Sequence, residues 1–458
     1  MPPRKKTRHS KKNTTVATTS APSPPPAHRS PCEPVNLTTQ AGVPTSSPRH
    51  PWPRLENKRI RVDRDWANSP KEETEKPECI NRPISETWDD YDTLFYNAWL
   101  NVEMLPTWLI DYPTLSSLGI NADVTRILTA IGLGKMPTTK YVLYPDLARQ
   151  LLSTCQVYYE NEHNKTAQEG YLTFMCRGMR YRIDFLDLCE LYGFNSAPTY
   201  TELPTEWVDL QIFWSHFGTG QYNSRHSLLK DIRHPALRYV PRVLGNTILC
   251  KLDATHMRKS DLILLSSGTR HFFPSNFWTV DDPCADLNLG AVFAHHLTTY
   301  KSKAFAKQPV ESVGSLLTPI FAYFHIDIGT AKMISADARM DIAHLQRIHW
   351  IKKDMQWVFN DSDGTTMLFK LPQTCYTSLE AHGYHNLRFW LPPALLTIFP
   401  GRPIRHGASS RAPPSATEDD LAGAHLPGLE FPEPPAGYEA HTPLFGSTRL
   451  LLCDRCGD

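Results

Sequence analysis

The chain has 458 residues, enough for two or three ordinary domains, with a hydrophobic fraction of 41%, 39 prolines and a formal net charge of +1. That near-neutral total hides an asymmetry: residues 1–64 hold about 13 Lys/Arg against 3 Asp/Glu, which leaves about −9 on the remainder. The composition excludes a uniformly basic binder, and with no run near about 18 uninterrupted apolar residues it also excludes an expected membrane span.

Met1 to about Pro77 is rich in Pro, Ser, Thr and Ala. Such a stretch buries too little apolar surface to offset its ordering entropy, so residues 1–79 are read as a disordered basic arm. Arg4, Lys5, Lys6, Arg8, Lys11 and Lys12 cluster at its start. A cluster of this kind serves as a nuclear import signal or as a phosphate contact, and a solvated tail is the alternative. No secretory leader is expected, because no apolar core segment follows the basic residues. The ten cysteines, with Cys155, Cys176, Cys189 and Cys250 in apolar settings, then read as reduced, buried thiols.

Order is expected from about Ile80. Trp88, Tyr91, Leu94, Phe95, Trp99 and Leu100 form a helical stripe with Ser85 as a candidate cap. Tyr112–Gly119 reads as a short helical turn closed by glycine. Asn121 caps a helix with Val124, Ile127, Leu128 and Ile131 on one side, stopped at Gly132. Leu143–Tyr159 reads as one amphipathic helix facing Leu147, Leu151, Leu152 and Cys155 inward.

The richest signal is Gly170–Phe194. Leu172, Phe174 and Cys176 alternate by twos, Arg177-Gly178 supplies a tight turn, and Tyr181 and Ile183 resume the alternation. Phe185, Leu186, Leu188, Cys189 and Tyr192 then recur at helical spacing between Asp184 and Gly193. A polar link at 195–204 marks a candidate sub-boundary. Beyond it, Trp207, Leu210, Phe213, Trp214 and Phe217 make an aromatic helical stripe. Pro235 suits a first helical turn, whereas Pro241 is expected to kink or break a helix. Lys259–Leu265, Asp286–Tyr300 and Glu311–His325 read as helices, the last interrupted at Pro319. Trp357–Phe369 reads as a second hairpin turning at Asp363-Gly364.

The expected fold class is therefore α+β: a predominantly α-helical body over 80–399 with two short β-hairpins, between disordered N- and C-terminal segments. The C-terminal segment, 400–458, is rich in Pro and Gly.

Phe213-Trp214, then Ile232-Arg-His-Pro-Ala-Leu-Arg-Tyr-Val-Pro-Arg-Val-Leu-Gly-Asn-Thr-Ile-Leu249, then Lys259-Ser-Asp-Leu-Ile-Leu-Leu265, resemble the plant retrotransposon family named for Athila elements. Leu115-Ser-Ser-Leu-Gly119-Ile120 and Phe185–Phe194 resemble it too, so the likeness runs over about 110–330. His234 stands where that family often has Asn, Gly245 where it has Ala, and Ser260-Asp261 where Glu is usual. These departures suggest a diverged or degenerate copy. The resemblance implies the first-open-reading-frame product of a long-terminal-repeat element, with a Gag-like or accessory role and no catalytic residues to carry over.

Enzymatic chemistry has few candidates. Trp88-Asp-Asp-Tyr-Asp92 is acidic but reads as a solvated helical face. Asp361-Ser-Asp-Gly364 approaches the D-[ST]-G loop of an aspartic protease but carries an extra residue, and fits a hairpin turn. Asp281-Asp282 precede Pro283 and read as a turn. His295-His296 and His344/His349 lack partnered cysteines at zinc-finger spacing. Cys453 and Cys456 make a C-x-x-C half-site, which closes no tetrahedron alone and is only a weak metal candidate. Arg233, Arg238, Tyr239 and Arg242 mix cations with an aromatic as nucleic-acid surfaces do, although the same spacing suits a solvated face.

The sequence reading is thus a non-enzymatic retrotransposon protein with no cofactor, whose partners are RNA or DNA and a second copy of itself, in nucleus or cytoplasm. No membrane or small-molecule partner is inferred. The alternatives are a nuclease or transposase with an unrecognised carboxylate metal site, and a decayed coding remnant.

Overall fold

The computed structural model describes residues 83–399, apart from 85–87, 198, 252–253, 307–308 and 330. The basic arm and the Pro/Gly-rich segment, with the readings made for them, lie outside the described residues.

Helix α1 (Asp90–Trp99) starts where the Asp89 carboxylate accepts the Asp92 N–H at 3.0 Å. The cap is thus Asp89; Ser85 lies outside the described residues. Two short strands follow, β1 (Glu103–Met104) and β2 (Trp108–Leu109). Helix α2 (Tyr112–Ser117) is capped by Asp111, and the chain turns at Gly119, whose φ of 69° suits glycine. Helix α3 (Asn121–Ile131) buries Val124, Ile127, Leu128 and Ile131 and ends in a left-handed Gly132. Asn121 is its first helical residue; Ile120 takes the cap position with no side-chain bond.

The helix expected over Leu143–Tyr159 divides. Helix α4 spans Pro145–Thr154, and Gln156–Tyr159 is strand β3. Val157-Tyr158-Tyr159 is a β-branched and aromatic run, and sheet pairing overrides the helical spacing. Strands β4 (Gly170–Cys176) and β5 (Met179–Asp184) form the expected hairpin, with Arg177 and Gly178 both at positive φ. The antiparallel order is β3-β4-β5, with Val157 opposite Leu172 and Leu172 opposite Ile183. Every residue of β4 is buried. Leu172, Phe174 and Cys176 enter the main core, while Met175 packs with Trp88 and Tyr96 in a smaller cluster. Helix α5 (Phe185–Tyr192) follows directly and ends at a left-handed Gly193. Asp184 holds its cap position but gives its carboxylate to Arg182 Nε at 3.1 Å.

Helix α6 (Leu210–Phe217) turns Leu210, Phe213, Trp214 and Phe217 inward. Helix α7 (Pro235–Asn246) runs unbroken through Pro241, so the expected break is corrected. Proline fits helical φ, and the lost backbone bond is offset by a helix buried nearly all round. Helices α8 (Lys259–Thr269) and α9 (Leu289–Tyr300) follow, the latter capped by Asn288. Glu311 is not helical; it lies in β6 (Val310–Glu311), and Pro319 opens α10 (Thr318–Tyr323) instead of interrupting a longer helix. Strand β7 (Ala338–Arg339) precedes α11 (Ile342–Arg347). Strands β1 and β2 pair in parallel with β6 and β7 respectively.

Strands β8 (Ile351–Lys352), β9 (Gln356–Asn360) and β10 (Thr366–Lys370) lead to three one-turn helices: α12 (Thr374–Thr377), α13 (Leu379–His382) and α14 (Tyr384–Leu387). Strand β11 (Leu396–Ile398) completes a sheet of order β11-β10-β9-β8. The β9–β10 hairpin turns at Asp363-Gly364 as expected, with the Asp361 carboxylate accepting the N–H groups of Asp363 and Thr365. One continuous apolar cluster extends from Tyr91 to Phe389. Beside the 195–204 link, Tyr200 bonds through its backbone to Asp286 and Asn288.

Candidate nucleic-acid interface

The motif from Ile232 to Leu249 builds the interior before it builds any surface. His234 is fully buried and caps α7: its Nδ1 accepts the Leu237 N–H at 3.4 Å, and its Nε2–H donates to the Thr377 carbonyl at 2.8 Å. Desolvation lowers its pKa to about 3, so the ring is neutral. An asparagine side chain could supply the same cap acceptor to the Leu237 N–H, but it is too short to reach the Thr377 carbonyl.

Arg238 is 1% exposed. Its Nε donates to the Ile232 carbonyl at 2.7 Å, Nη1 to Val358 at 2.7 Å and Nη2 to Lys230 at 3.0 Å. The guanidinium lies 4.3 Å from the Trp357 ring centre and 5.6 Å from that of Trp350. Desolvation lowers its pKa to about 9, opposed by Asp231. Tyr239, equally buried, donates to the Met340 carbonyl at 3.3 Å. Arg238 and Tyr239 are therefore interior residues and offer no solvent face. The expected shared surface of Arg238 and Arg242 is replaced by a bolt joining α7, the preceding turn and β9. Arg242 is half-buried, and its charge helps burial to lower the His344 pKa to about 4.

Arg233, the remaining member of that set, is half-buried. Its Nη2 donates to the His216 carbonyl at 2.9 Å, while its buried Nε has no protein partner. His216 ends α6; its Nδ1–H donates to Ile212 O at 2.8 Å and its Nε2 accepts the Tyr384 hydroxyl at 2.6 Å. Arg388 Nη2 donates to the same hydroxyl at 3.0 Å and lies 3.4 Å from His216 Nε2. The Arg388 guanidinium sits 5.4 Å from the Tyr384 ring centre and 5.2 Å from that of Trp390, which is 68% exposed. Neither Arg233 nor Arg388 is ion-paired to a carboxylate among the described residues. Burial first, then Arg388, lowers the Arg233 pKa, with Asp361 opposing. Sequence reasoning missed Arg388 and Trp390. Their signal was Arg388-Phe-Trp390, a cation–aromatic pair of the kind that singled out Arg233–Arg242.

The other candidate groups hold local structure. Asp89 caps α1, Asp361 closes a hairpin, and Asp282 accepts from Ser267 and the Cys284 N–H, each at 2.9 Å. His295 Nε2 meets the Tyr159 hydroxyl at 2.6 Å, and His344 packs against Trp108. Burial lowers His296 to about 4, and His349 is exposed. Among the described residues, no three His, Cys, Asp or Glu side chains are grouped to hold a metal ion. No described helix is long and apolar enough to cross a membrane. Cys155, Cys176, Cys189 and Cys250 are free thiols in the interior. Arg4, Lys5, Lys6, Arg8, Lys11, Lys12, Cys453 and Cys456 lie outside the described residues.

The two other departures are equally well housed. A Cβ on Gly245 would stand 2.8 Å from the Ala254 Cβ, so glycine fits where alanine would need a shift. Asp261 accepts the Arg258 N–H at 2.7 Å and pairs with Lys251, capping α8 from the interior.

These features define an α+β protein whose sequence motif is an interior scaffold beside a cation–aromatic surface patch. The chain matches the ATHILA ORF-1 family over residues 60–419 and belongs to that family; it is an Athila-type retrotransposon ORF-1 protein. The match reaches beyond the 110–330 resemblance on both sides. Neither the curated proteins nor the solved structures compared with the chain gave a match.

Proposed function

We propose that the protein is a non-enzymatic, Gag-like or accessory component of its element. In this reading it binds nucleic acid through the cationic arm and associates with itself through the folded body. One observation carries it: roughly +10 of charge is concentrated in residues 1–64 of an otherwise acidic chain. A polycationic segment on an acidic body binds polyanions by counterion release, with affinity that falls steeply with salt. The cluster Arg4, Lys5, Lys6, Arg8, Lys11 and Lys12 is its first point of contact. The neat housing of His234, Gly245 and Asp261 favours a maintained fold over a decayed remnant.

Filter binding of single-stranded RNA to the full chain and to a chain lacking residues 1–12 tests this. Deletion of six cations should flatten the slope of log affinity against log salt by about 4. An unchanged slope overturns the assignment to the arm. Size-exclusion chromatography with and without RNA reports self-association. Strand cleavage that depends on a divalent metal would establish the nuclease alternative instead. The same cluster also fits a nuclear import signal, read by the location of a reporter fused to residues 1–12.

A further inference from the structure

We propose that Arg233, Arg388 and Trp390 form a subsite for one nucleotide of a single-stranded nucleic acid, with the phosphate on the two guanidiniums and the base on the exposed tryptophan ring. This deepens the reading of nucleic-acid binding but places a second contact in the folded body, independent of the arm.

Three features of the patch point to this ligand. Both guanidiniums rest on one residue, Arg233 at the His216 carbonyl and Arg388 at its Nε2; neither is ion-paired to a described carboxylate, and the Asp361 charge only partly offsets burial and Arg388 at Arg233. The Arg388 charge acts against that of Arg233 more strongly than Asp361 supports it; an anion with several oxygens relieves that repulsion and fits their donors. Second, the arginines are held in place before any ligand arrives. The chain Ile212 carbonyl, His216 ring, Tyr384 hydroxyl, Arg388 guanidinium is continuous, with successive distances of 2.8, 2.6 and 3.0 Å. Prior ordering removes part of the entropy that a binding partner must otherwise overcome.

Third, Trp390 is 68% exposed while its own neighbour Phe389 is 3% exposed in the core. An indole beside a cation, with one open face, is a platform for a planar partner. An unpaired base supplies such a plane and places its phosphate at the scale of the neighbouring arginines. A duplex does not, because its bases are stacked on each other. An acidic peptide would satisfy the arginines but leave the indole unused.

The test uses the full chain and 5-iodouridine-containing single-stranded RNA and DNA, with photocross-links mapped by mass spectrometry. A cross-link in the peptide carrying Trp390 is expected. Trp390→Ala should weaken binding about tenfold at an unchanged salt slope, and Trp390→Phe should restore most of it. Arg388→Ala should weaken binding and reduce the salt slope by about 0.7, whereas duplex binding should not respond to Trp390→Ala.

The far-ultraviolet spectrum and unfolding midpoint confirm that each variant folds. Cross-links confined to residues 1–12, with Trp390→Ala unchanged, overturn the subsite and leave the arm standing. A salt slope unaffected by arm deletion but lowered by Arg388→Ala overturns the arm and leaves the subsite. Polyglutamate binding that depends on Arg233 and Arg388, without any oligonucleotide effect, overturns the subsite in favour of an acidic peptide. A preference for RNA over DNA at equal length distinguishes the two sources of the same nucleotide chemistry.

Discussion

Arg238 and Arg388 each meet a tryptophan ring, yet in opposite surroundings. Arg238 lies 4.3 Å from the Trp357 ring centre with its donors given to the carbonyls of Ile232, Val358 and Lys230. Arg388 lies 5.2 Å from the Trp390 ring centre beside solvent, supported by a hydroxyl and a histidine. The same pair of residue types is a structural bolt in one place and, in the proposed subsite, a recognition surface in the other. What separates them is whether the guanidinium donors are already satisfied by the chain itself.

The sharpest way to break this comparison is to remove both cations in turn. Arg238→Ala leaves three interior carbonyls without their donor and a cavity between two tryptophans. It should cost about 4 kcal/mol or more, read as a large fall in urea midpoint or failure to fold. Lysine should rescue little, because a point ammonium cannot reach three carbonyls in a plane. An interior carboxyl extends the contrast. Glu311 is fully buried, and desolvation raises its pKa to about 8 despite N–H donors from Val313 and Gly314 and the Arg149 cation. Its folded pKa exceeds its unfolded value, so its stability contribution is complete at low pH and is lost as pH climbs through 8. Glu311→Gln should therefore unfold at higher urea than the parent at pH 9, by a few kcal/mol, and match it near pH 5.

Much of the hairpin architecture was legible because its signals are local. Arg177-Gly178 and Asp363-Gly364 mark turns by residue type, and the switch of period after Asp184 marks a helix. Strand β3 was hidden because Gln156–Tyr159 is too short to display its own period and directly continues a helix. The parallel ladders β1–β6 and β2–β7 have only two residues per strand, with partners far along the chain, so no sequence window contains them. Arg238 was misplaced because burial of an arginine depends on carbonyls brought from β9. The grouping of the patch was likewise out of reach: Arg388-Phe-Trp390 carries a local cation–aromatic signal, but that it meets Arg233 at His216 depends on the fold.

His234 gives a smaller effect with a defined sign. Its folded pKa of about 3 lies below the ordinary 6.5, so the stability it lends is full above 6.5 and lost as pH falls toward 3. His296 and His344, each lowered to about 4, act in the same direction. His234→Ala should cost about 2–3 kcal/mol at pH 7, because the Leu237 N–H and the Thr377 carbonyl both lose a partner. His234→Asn keeps the cap to the Leu237 N–H but not the bond to Thr377, so it should cost less than Ala and flatten the acid limb of the stability curve. If Asn is as costly as Ala, cap equivalence is not what permits histidine at this position.

The smallest effect on folding belongs to the open arginine. Arg388 has no ion pair among the described residues and is half-buried with one good hydrogen bond, to the Tyr384 hydroxyl, so Arg388→Ala should cost about 1 kcal/mol, well below Arg238→Ala. Trp390→Ala should cost no more than that, since its indole is mostly in water. Should Arg388→Ala instead destabilise the protein as much as Arg238→Ala, both arginines are bolts. The distinction between interior scaffold and recognition surface would then fall with it.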